Sequence, residues 1–358
     1  MRIAALFAIP LLLVCCGEPI NPAEREWIPD QDGPPGKLVS EEEGKSAPAT
    51  VVFYNVENLF DTEDDPRTND NDFLPAGDLH WTDERYQRKL ERLSEAIGMS
   101  GQKAPYLIGL AEVENRRVVE DLSRTGTLAQ GRYTVVHEDS PDPRGIDVAL
   151  LVSGRFGRVT EQHFLPVDLE GGGVTRQVLH AIVETLGGQR VHVFVNHWPS
   201  RRAGEKETVA KRKAAARVLR GALDDVFAAA DKAHVIVMGD FNDGPLDGSV
   251  RHVLGAAVKP TETAMDLVNL VAWDAIVPVG SISHGGSWDY FDQILVSRAL
   301  MGTRLPGHVR AVSAASIKDR RLIFHHPKYG DQPNRTFSGT KYHRDGYSDH
   351  LPVVLRLE

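Results

Sequence analysis

Short apolar runs recur along most of the chain, and polar stretches separate them. Eight such runs, each of five or six residues, follow one another from residue 50 to the end of the chain. Some alternate apolar with polar residues, and others are apolar almost throughout. Runs of this length are typical of β-strands that are buried on one or both faces of a sheet. The predicted strands are 50–54, 106–110, 147–152, 179–184, 191–196, 233–238, 292–296 and 351–355.

Two segments have the period of an amphipathic helix. Four apolar residues from Tyr86 to Ile97 are spaced 4, 3 and 4 residues apart, which places them on one helical face. A longer helix is predicted within about 205–230, where alanine, leucine and valine recur at helical spacing. No repeat and no second linker interrupts residues 50–358. We therefore predict a single large α/β domain, although its strand order does not follow from the sequence.

The first sixteen residues have the pattern of an export signal. Arg2 gives a positive start, and the apolar stretch 3–14 follows. That stretch is too short to span a bilayer, which needs ~20 residues. Residues 13–17 resemble a bacterial lipobox, in which a signal peptidase cuts before a cysteine that receives lipid. Cys16 is the predicted lipidation site, Cys15 is the alternative, and a cleaved signal without lipid is the other interpretation.

The segment after the signal differs in composition from the rest of the chain. Residues 17–49 are rich in Pro, Glu, Gly, Ser and Asp and lack apolar periodicity, which is typical of a disordered tether. The predicted organisation is therefore a lipoprotein signal peptide (1–16), a tether (17–49) and a folded domain (50–358). We expect an exported lipoprotein at the outer membrane, in the periplasm or at the cell surface.

Charge and cysteine content limit the function of the folded domain. The chain has 41 Lys and Arg against 50 Asp and Glu, a formal net charge of −9. This acidic balance argues against a protein that coats nucleic acid through bulk positive charge. Both cysteines lie in the predicted signal. The domain therefore has no disulfide, no cysteine zinc site and no thiol nucleophile.

Polar residues gather where the apolar runs begin or end. Loops at strand ends present functional groups on a rigid scaffold, although a single Asn or carboxylate there is often only a cap or turn residue. Six polar blocks occur in order, NVENLF (55–60), EVEN (112–115), NHWPS (196–200), GDFND (239–243), WDYFD (288–292) and YSDH (347–350).

In order, spacing and identity, the six blocks resemble the endonuclease/exonuclease/phosphatase superfamily, to which deoxyribonuclease I and exonuclease III belong. The first two blocks look most like its branch of secreted bacterial nucleases. The resemblance covers roughly residues 50–358 and implies an α/β fold of two packed mixed β-sheets flanked by helices, a four-layer α/β sandwich. It also implies phosphoester hydrolysis that depends on Mg²⁺ or Mn²⁺, at the edge of the sandwich where the strand-end loops meet.

The resemblance assigns four residues to a divalent metal site. Glu112, Asn55 and Asp349 match the carboxylate and amide groups that surround the metal in this family. Glu57 matches an acidic residue that relatives often carry nearby, and we expect it to act through an intervening water or ligand. Carboxylate and amide oxygens are the ligands that hard divalent cations prefer.

Five further residues match the family's catalytic positions. Asp240 matches the residue that positions or deprotonates the attacking water, and Asn242 would donate its amide to the phosphate. His350 matches a histidine that a carboxylate, here Asp292, holds in its charged form to stabilise a pentacovalent phosphorane. His197 matches a phosphate-contacting histidine that could protonate the leaving group. Whether histidine or aspartate is the formal base stays open.

Four arginines and one acidic loop complete the candidates. Arg144 and Arg176 could contact a substrate phosphate, and a solvated turn arginine is the alternative for each. Arg201 and Arg202 could meet a nucleic-acid backbone or form a solvated pair. The acidic stretch 61–72 could hold a structural Ca²⁺, but it lacks the EF-hand pattern, and a solvated loop is the alternative.

The resemblance leaves the substrate open among phosphoesters. Residues 286–292 do not match the corresponding block of inositol polyphosphate phosphatases, and no exposed aromatic run resembles a sphingomyelinase hairpin. Intracellular repair of abasic sites conflicts with the export signal. We therefore predict a monomeric endonuclease with nucleic acid as its substrate, a lipid anchor as its membrane contact and no obligate protein partner. The alternatives are a phosphatase or phosphodiesterase for a phospholipid head group or another small phosphoester and, more remotely, a non-catalytic binding module.

Overall fold

The predicted apolar runs lie in two β-sheets that pack face to face. The computed structural model describes residues 49–169, 171–272, 280–303 and 305–358, which belong to one compact unit. The predicted signal peptide and the tether up to residue 48 lie outside the described residues. Each of the eight predicted strands falls on an observed strand, and both predicted helices are confirmed.

The described elements alternate between strands and a few helices. The helices are α1 (Asp83–Gly98), α2 (Arg116–Ser123), α3 (Glu205–Ala229) and α4 (Arg298–Met301). The strands are β1 (Ala49–Leu59), β2 (Leu107–Val113), β3 (Tyr133–His137), β4 (Asp147–Ser153), β5 (Gly157–Leu165), β6 (Val178–Thr185), β7 (Arg190–His197), β8 (His234–Asp240), β9 (Ala256–Ala257), β10 (Leu267–Asn269), β11 (Ile282–His284), β12 (Ser287–Asp289), β13 (Asp292–Ser297), β14 (Ala311–Ser316), β15 (Ile323–His326), β16 (Gly330–Pro333), β17 (Phe337–Ser338), β18 (Lys341–Tyr342) and β19 (Val353–Leu357).

Two mixed sheets form the body of the domain. The first has six strands in the order β14-β19-β1-β2-β4-β3, and the second has seven in the order β5-β6-β7-β8-β13-β10-β9. The remaining strands pair as three short hairpins, β11-β12, β15-β16 and β17-β18. Two packed mixed sheets with helices outside them confirm the predicted α/β sandwich.

The central strands are apolar on both faces, because one face packs against the opposing sheet and the other against helices. In β1, Val51 and Phe53 face the core between the sheets, whereas Val52 and Tyr54 face the core beneath α1 and α2. Alternate residues of β8 divide in the same way between the central core and the core beneath α3. Side chains of a strand alternate between faces, so double coverage requires an almost continuous apolar run.

Close approach of the two sheets depends on one glycine of β2. A Cβ atom at Gly109 would lie 2.5 Å from the sulfur of Met238 on the opposing sheet. A side chain at this position would therefore force the sheets apart, because interiors are close-packed.

The two predicted helices follow directly from the sequence pattern. The apolar stripe of α1 is buried, and Thr82 caps its start by accepting a hydrogen bond from the backbone N–H of Arg85. Helix α2, which periodicity did not predict, is short and begins at the capping side chain of Asn115. In the described ranges, none of the helices is both long and apolar enough to cross a membrane.

Candidate active site

Strand direction brings the six polar blocks to one edge of the sandwich. β1 and β2 are parallel, so the residues Asn55 and Glu112 near their ends lie at the same edge. β7 and β8 are also parallel, and His197 lies opposite Asp240 in register. β13 runs antiparallel to β8 and starts with Asp292 opposite Asp240. The YSDH block precedes β19, which is antiparallel to β1, and therefore reaches this edge too.

Glu112 and Asp240 lie on either side of one amide. The side-chain nitrogen of Asn55 donates to Glu112 Oε1 at 3.2 Å and to Asp240 Oδ2 at 3.1 Å. Its oxygen accepts the backbone N–H of Glu57 at 3.1 Å. Asn55 thus presents N–H groups to the carboxylates and holds them apart, while its role as a metal ligand stays a prediction.

Two histidines lie next to the carboxylates of the site. His197 Nε2 lies 3.8 Å from Glu112 Oε1 and 3.6 Å from Asp240 Oδ2. Nδ1 of His350 is 2.7 Å from Asp292 Oδ2, which leaves its Nε2 facing Asp240 at 3.9 Å. The predicted histidine–carboxylate pair is therefore present in the structure, next to the candidate base.

Two more of the predicted site residues, Asn242 and Asp349, line the same pocket. Asn242 donates its backbone N–H to Asp240 Oδ1 at 2.9 Å and its amide to the carbonyl of Trp198 at 3.0 Å. The Asp349 carboxylate lies 3.9 Å from His350 Nε2, and 33% of its side chain is exposed. Asp349 is therefore the carboxylate of the group that solvent reaches most readily.

The surroundings shift the pKa values of these groups in opposite directions. Burial, followed by the charge of Asp349, raises the pKa of Glu112, and burial raises the pKa of Asp240 to about 7. Burial opposes the charged form of His350, but Asp292 outweighs it and raises the His350 pKa well above its usual value. Burial, together with nearby arginines, lowers the pKa of His197 well below its usual value. One histidine is thus held charged and the other neutral, a division typical of functional sites.

Several site residues have an unusual backbone conformation. Six non-glycine residues in the described ranges have φ in the left-handed region, and four of them, Glu57, Asn58, Glu112 and Asn242, lie at this edge. Left-handed φ values cost free energy for non-glycine residues, and such strain clusters at functional sites. Here the bend near the end of β1 lets the N–H of Asn58 reach Glu112 Oε2 at 3.1 Å.

Glu57 lies behind the site and binds another loop. Its carboxylate accepts the backbone N–H groups of Thr336 at 2.6 Å and Phe337 at 3.4 Å. The buried ammonium of Lys89 from α1 lies 3.9 Å from it and donates to the hydroxyl of Thr336 and to the carbonyl of Tyr347. This group connects α1 to the chain that delivers the YSDH block.

Replacing Lys89 with methionine should lower the free energy of unfolding by about 3 kcal/mol, since breaking a buried ion pair leaves the partner charge uncompensated. Thermal and urea unfolding would measure the change. Glu57→Gln in the same chain should recover part of the loss, and the exposed Lys211→Met is the matched control. An unchanged midpoint for Lys89→Met would contradict the anchoring role.

The two candidate phosphate arginines are held by one aspartate but differ in exposure. Asp142 accepts from Arg144 at 3.1 Å and from Arg176 at 2.8 Å. Arg176 is buried and also donates to the carbonyl of Trp198 at 2.7 Å, whereas the Arg144 side chain is 48% exposed. The difference in exposure favours Arg144 for contact with a substrate. The buried Arg176 instead positions the loop that contains Asp142.

An open pocket of about 830 Å³ contains the site. Its lining includes the carboxylates and histidines of Glu112, Asp240, Asp349, His197 and His350, together with Arg144, Arg201, Arg202 and Phe291. Arg201 is fixed by ion pairs of 2.7 Å to Asp243 and 2.6 Å to Asp247. The pocket therefore presents carboxylates at its base and guanidinium groups along its wall.

The donor set fits a hard divalent cation. Glu112 and Asp349 offer carboxylate oxygens to the same pocket, and their mutual repulsion contributes to the raised pKa of Glu112. A bound cation would remove that repulsion, and oxygen ligands are those that Mg²⁺ and Mn²⁺ favour. Asp240, Asp292 and His350 also have ligand atoms close to one another. His350 and Asp292 already form a short hydrogen bond with each other. We therefore expect the cation at Glu112.

Two further acidic groups have structural partners. In the 61–72 loop, Asp61 accepts the N–H of Glu63 and Asp70 accepts the N–H of Asp65, each at 2.8 Å. Within the described ranges, the converging ligand groups of three or more do not include this loop, so the structure adds no support for the predicted Ca²⁺. Elsewhere, His137 lies 3.1 Å from Asp147, a contact that already pairs them.

Three residues that support the site were missed at the level of sequence. Asp142 had a signal, because it precedes Arg144 by two residues in a turn block. Lys89 falls on the buried stripe of α1, three residues after Tyr86, and a lysine at such a position indicates a buried partner. The backbone carbonyl of Trp198, which accepts from two site residues, had no sequence signal at all.

Comparisons with known proteins agree with the fold. The profile of the Endonuclease/Exonuclease/phosphatase family matches residues 50–358. No curated protein sequence matches the chain. Among solved structures, the human Nocturnin catalytic domain with bound sulfate has a TM-score of 0.53 and 16% identity, and the match covers 87% of this chain and 94% of that one.

Two other solved structures are similar to the same extent. A Bacteroides thetaiotaomicron mannosyl-6-phosphatase has a TM-score of 0.52 and 14% identity, over 87% of this chain and 99% of that one. Danio rerio TDP2 complexed with single-strand DNA product has a TM-score of 0.51 and 15% identity, over 87% of this chain and 100% of that one. At such identities the likeness shows a common fold. Because the family profile spans all six polar blocks, the chain belongs to the endonuclease/exonuclease/phosphatase family of divalent-metal-dependent phosphoester hydrolases.

Proposed function

We propose that this protein is an exported phosphodiesterase that uses Mg²⁺ or Mn²⁺ to cleave DNA or RNA internally. The observation that carries the proposal is the convergence of Glu112, Asp240, His197 and the His350–Asp292 pair on one open pocket. Each group has a separate task in phosphodiester hydrolysis, and the raised pKa values of Asp240 and His350 suit a general base and a charged imidazole.

The chemistry follows from the position of each side chain. Asp240 accepts a proton from water that approaches the phosphorus, and the charged His350 stabilises the negative charge that develops on the phosphoryl oxygens. The neutral His197 can donate one N–H to a phosphate oxygen. A divalent cation held by Glu112 and Asp349 would supply Lewis-acid stabilisation of the phosphate and the leaving oxygen.

Guanidinium groups at the pocket wall support a polyanionic substrate. Arg144, Arg201 and Arg202 line the pocket in a chain whose overall charge is −9. Local positive charge beside the carboxylates can bind phosphates on either side of the scissile bond without the slow release that a wholly basic surface would cause. The DNA-bound TDP2 structure supports nucleic acid as a ligand class for this fold.

Addition of Mg²⁺ or Mn²⁺ to the purified protein should convert supercoiled plasmid to nicked and linear forms, and EDTA should stop the reaction. An agarose-gel time course measures it, with parallel assays on RNA, a phospholipid, an inositol phosphate and mannose 6-phosphate. Intact DNA and RNA together with turnover of a phospholipid or a small phosphomonoester would overturn the nuclease proposal and favour the alternative phosphoesterase.

Export and anchoring belong to the same proposal and rest on the N-terminal sequence. Cys16→Ser should abolish incorporation of labelled palmitate and release the protein from the membrane fraction of a Gram-negative host. Retained label would reassign the anchor to Cys15, and absence of label in the unaltered protein would leave a cleaved secretory signal.

A further inference from the structure

A second cavity lies beside the catalytic pocket and has a different character. It has a volume of about 860 Å³ and an apolar lining that includes Leu246, Val258, Pro260, Trp288 and Tyr290. Leu246 follows β8 by a few residues and is 74% exposed, whereas Trp288 and Tyr290 are half-buried. An exposed leucine and two half-buried aromatic residues thus line one cavity and leave apolar surface that a ligand could cover.

Neighbouring residues of the chain line the two cavities, which share a wall. Asp289, between the two aromatic residues, lines both of them. Arg201 lines the catalytic pocket and pairs at 2.6 Å with Asp247, which lines the apolar cavity. Its guanidinium also lies 4.8 Å from the centre of the Phe291 ring. A substrate bound at the carboxylates would therefore lie next to the apolar cavity.

We propose that the apolar cavity is a base-binding subsite, which receives the nucleobase of the nucleotide next to the phosphate in the catalytic pocket. The inference rests on the proposed function and adds to it a specific contact for the substrate. Trp288 and Tyr290 offer aromatic surface for stacking, and stacking on aromatic side chains is how proteins bind bases without sequence preference.

A nucleobase fits the lining better than a lipid chain does. The rim carries Asp247, Lys259 and Asp289. The polar edge of a base can hydrogen-bond with such groups, whereas an acyl chain would cover them without providing partners. The volume also lies in the range of pockets that hold small organic ligands.

Binding measurements can test the subsite separately from catalysis. We would titrate the purified protein with dTMP and with 2-deoxyribose 5-phosphate, which has the same phosphate and sugar but no base, by calorimetry with Mg²⁺ present. The expected result is about tenfold tighter binding of dTMP, because one stacked base contributes on that scale. Trp288→Ala and Leu246→Asp should each remove this preference.

Leu186→Asp is the matched control for the leucine variant. Leu186 is 76% exposed and lies between β6 and β7, at the opposite end of β7 from His197. This variant should keep the preference for dTMP. Leu246 is a surface residue, so Leu246→Asp keeps the test decisive if Trp288→Ala unfolds.

Several outcomes would overturn the subsite. Equal affinities for the two probes, or a preference that survives both variants, would show that the cavity does not hold the base. A dimer that Leu246→Asp dissociates without a change in dTMP binding would assign the cavity to a second copy of the chain. Loss of binding to phosphatidylcholine vesicles in Leu246→Asp, without any dTMP preference in the unaltered protein, would assign it to lipid.

The failure of the subsite differs from the failure of the proposed function. Cleavage of plasmid DNA with equal affinity for the two probes would leave the nuclease and remove the subsite. Preference for dTMP without cleavage of any nucleic acid would leave the subsite and remove the nuclease.

Discussion

Replacing His350 with alanine should reduce kcat for phosphodiester hydrolysis by about 10³-fold, with a smaller change in KM. The imidazole is buried, its Nδ1 is 2.7 Å from Asp292, and its Nε2 faces the Asp240 carboxylate. Its loss removes a positive charge from the place where negative charge develops in the transition state, and a preorganised charge of this kind contributes on that scale. Steady-state kinetics on a chromogenic phosphodiester with saturating Mg²⁺ would measure the effect.

Two comparisons would separate catalysis from folding in this experiment. The exposed His252→Ala is the matched control and should retain full activity. Asp292→Asn should retain the imidazole but lower its pKa, so this variant should lose activity at neutral pH, where less of the imidazole is charged. Near-normal kcat for His350→Ala, with circular dichroism unchanged, would remove this histidine from the mechanism.

Replacing Glu112 with glutamine should raise the metal concentration needed for half-maximal activity by at least about tenfold and reduce kcat by about 10³-fold. The carboxylate supplies the buried oxygen ligand that the pocket offers to a divalent cation, and an amide oxygen is a weaker ligand because it carries no charge. Titration of activity with Mg²⁺ and with Mn²⁺ would measure both changes.

The same substitution should change the stability of the metal-free protein only slightly, because the relief of repulsion is offset by the loss of one of the hydrogen bonds that the carboxylate accepts from Asn55 and Asn58. Burial and the charge of Asp349 oppose ionisation of Glu112, so a neutral side chain of the same shape relieves repulsion. The exposed Glu91→Gln is the matched control. A large drop in melting temperature, or an unchanged metal requirement, would show that Glu112 is a structural residue.

The supporting residues show which features of the site the local sequence pattern can predict. Periodicity predicted α1 correctly, yet it treated Lys89 as one more polar position, because the strand ends and the loop that surround it lie far away in the chain. Asn55 shows the same limit in the site itself. Its position beside the carboxylates followed from the block, whereas the direction of its amide depends on the turn that brings the Glu57 N–H to its oxygen.

The sequence by itself determined eight of the sheet strands, the two long helices, the α/β class and the polar blocks of the site. These features are local, since they depend on the spacing of apolar residues and on which polar residues end each run. The tertiary structure decided the order of strands and which of the two arginines is exposed, Arg144, and which is buried, Arg176. It also decided the opposite shifts in the pKa values of His197 and His350. Each of these depends on contacts between residues that are distant in the chain, and burial and neighbouring charge are properties of the folded sandwich alone.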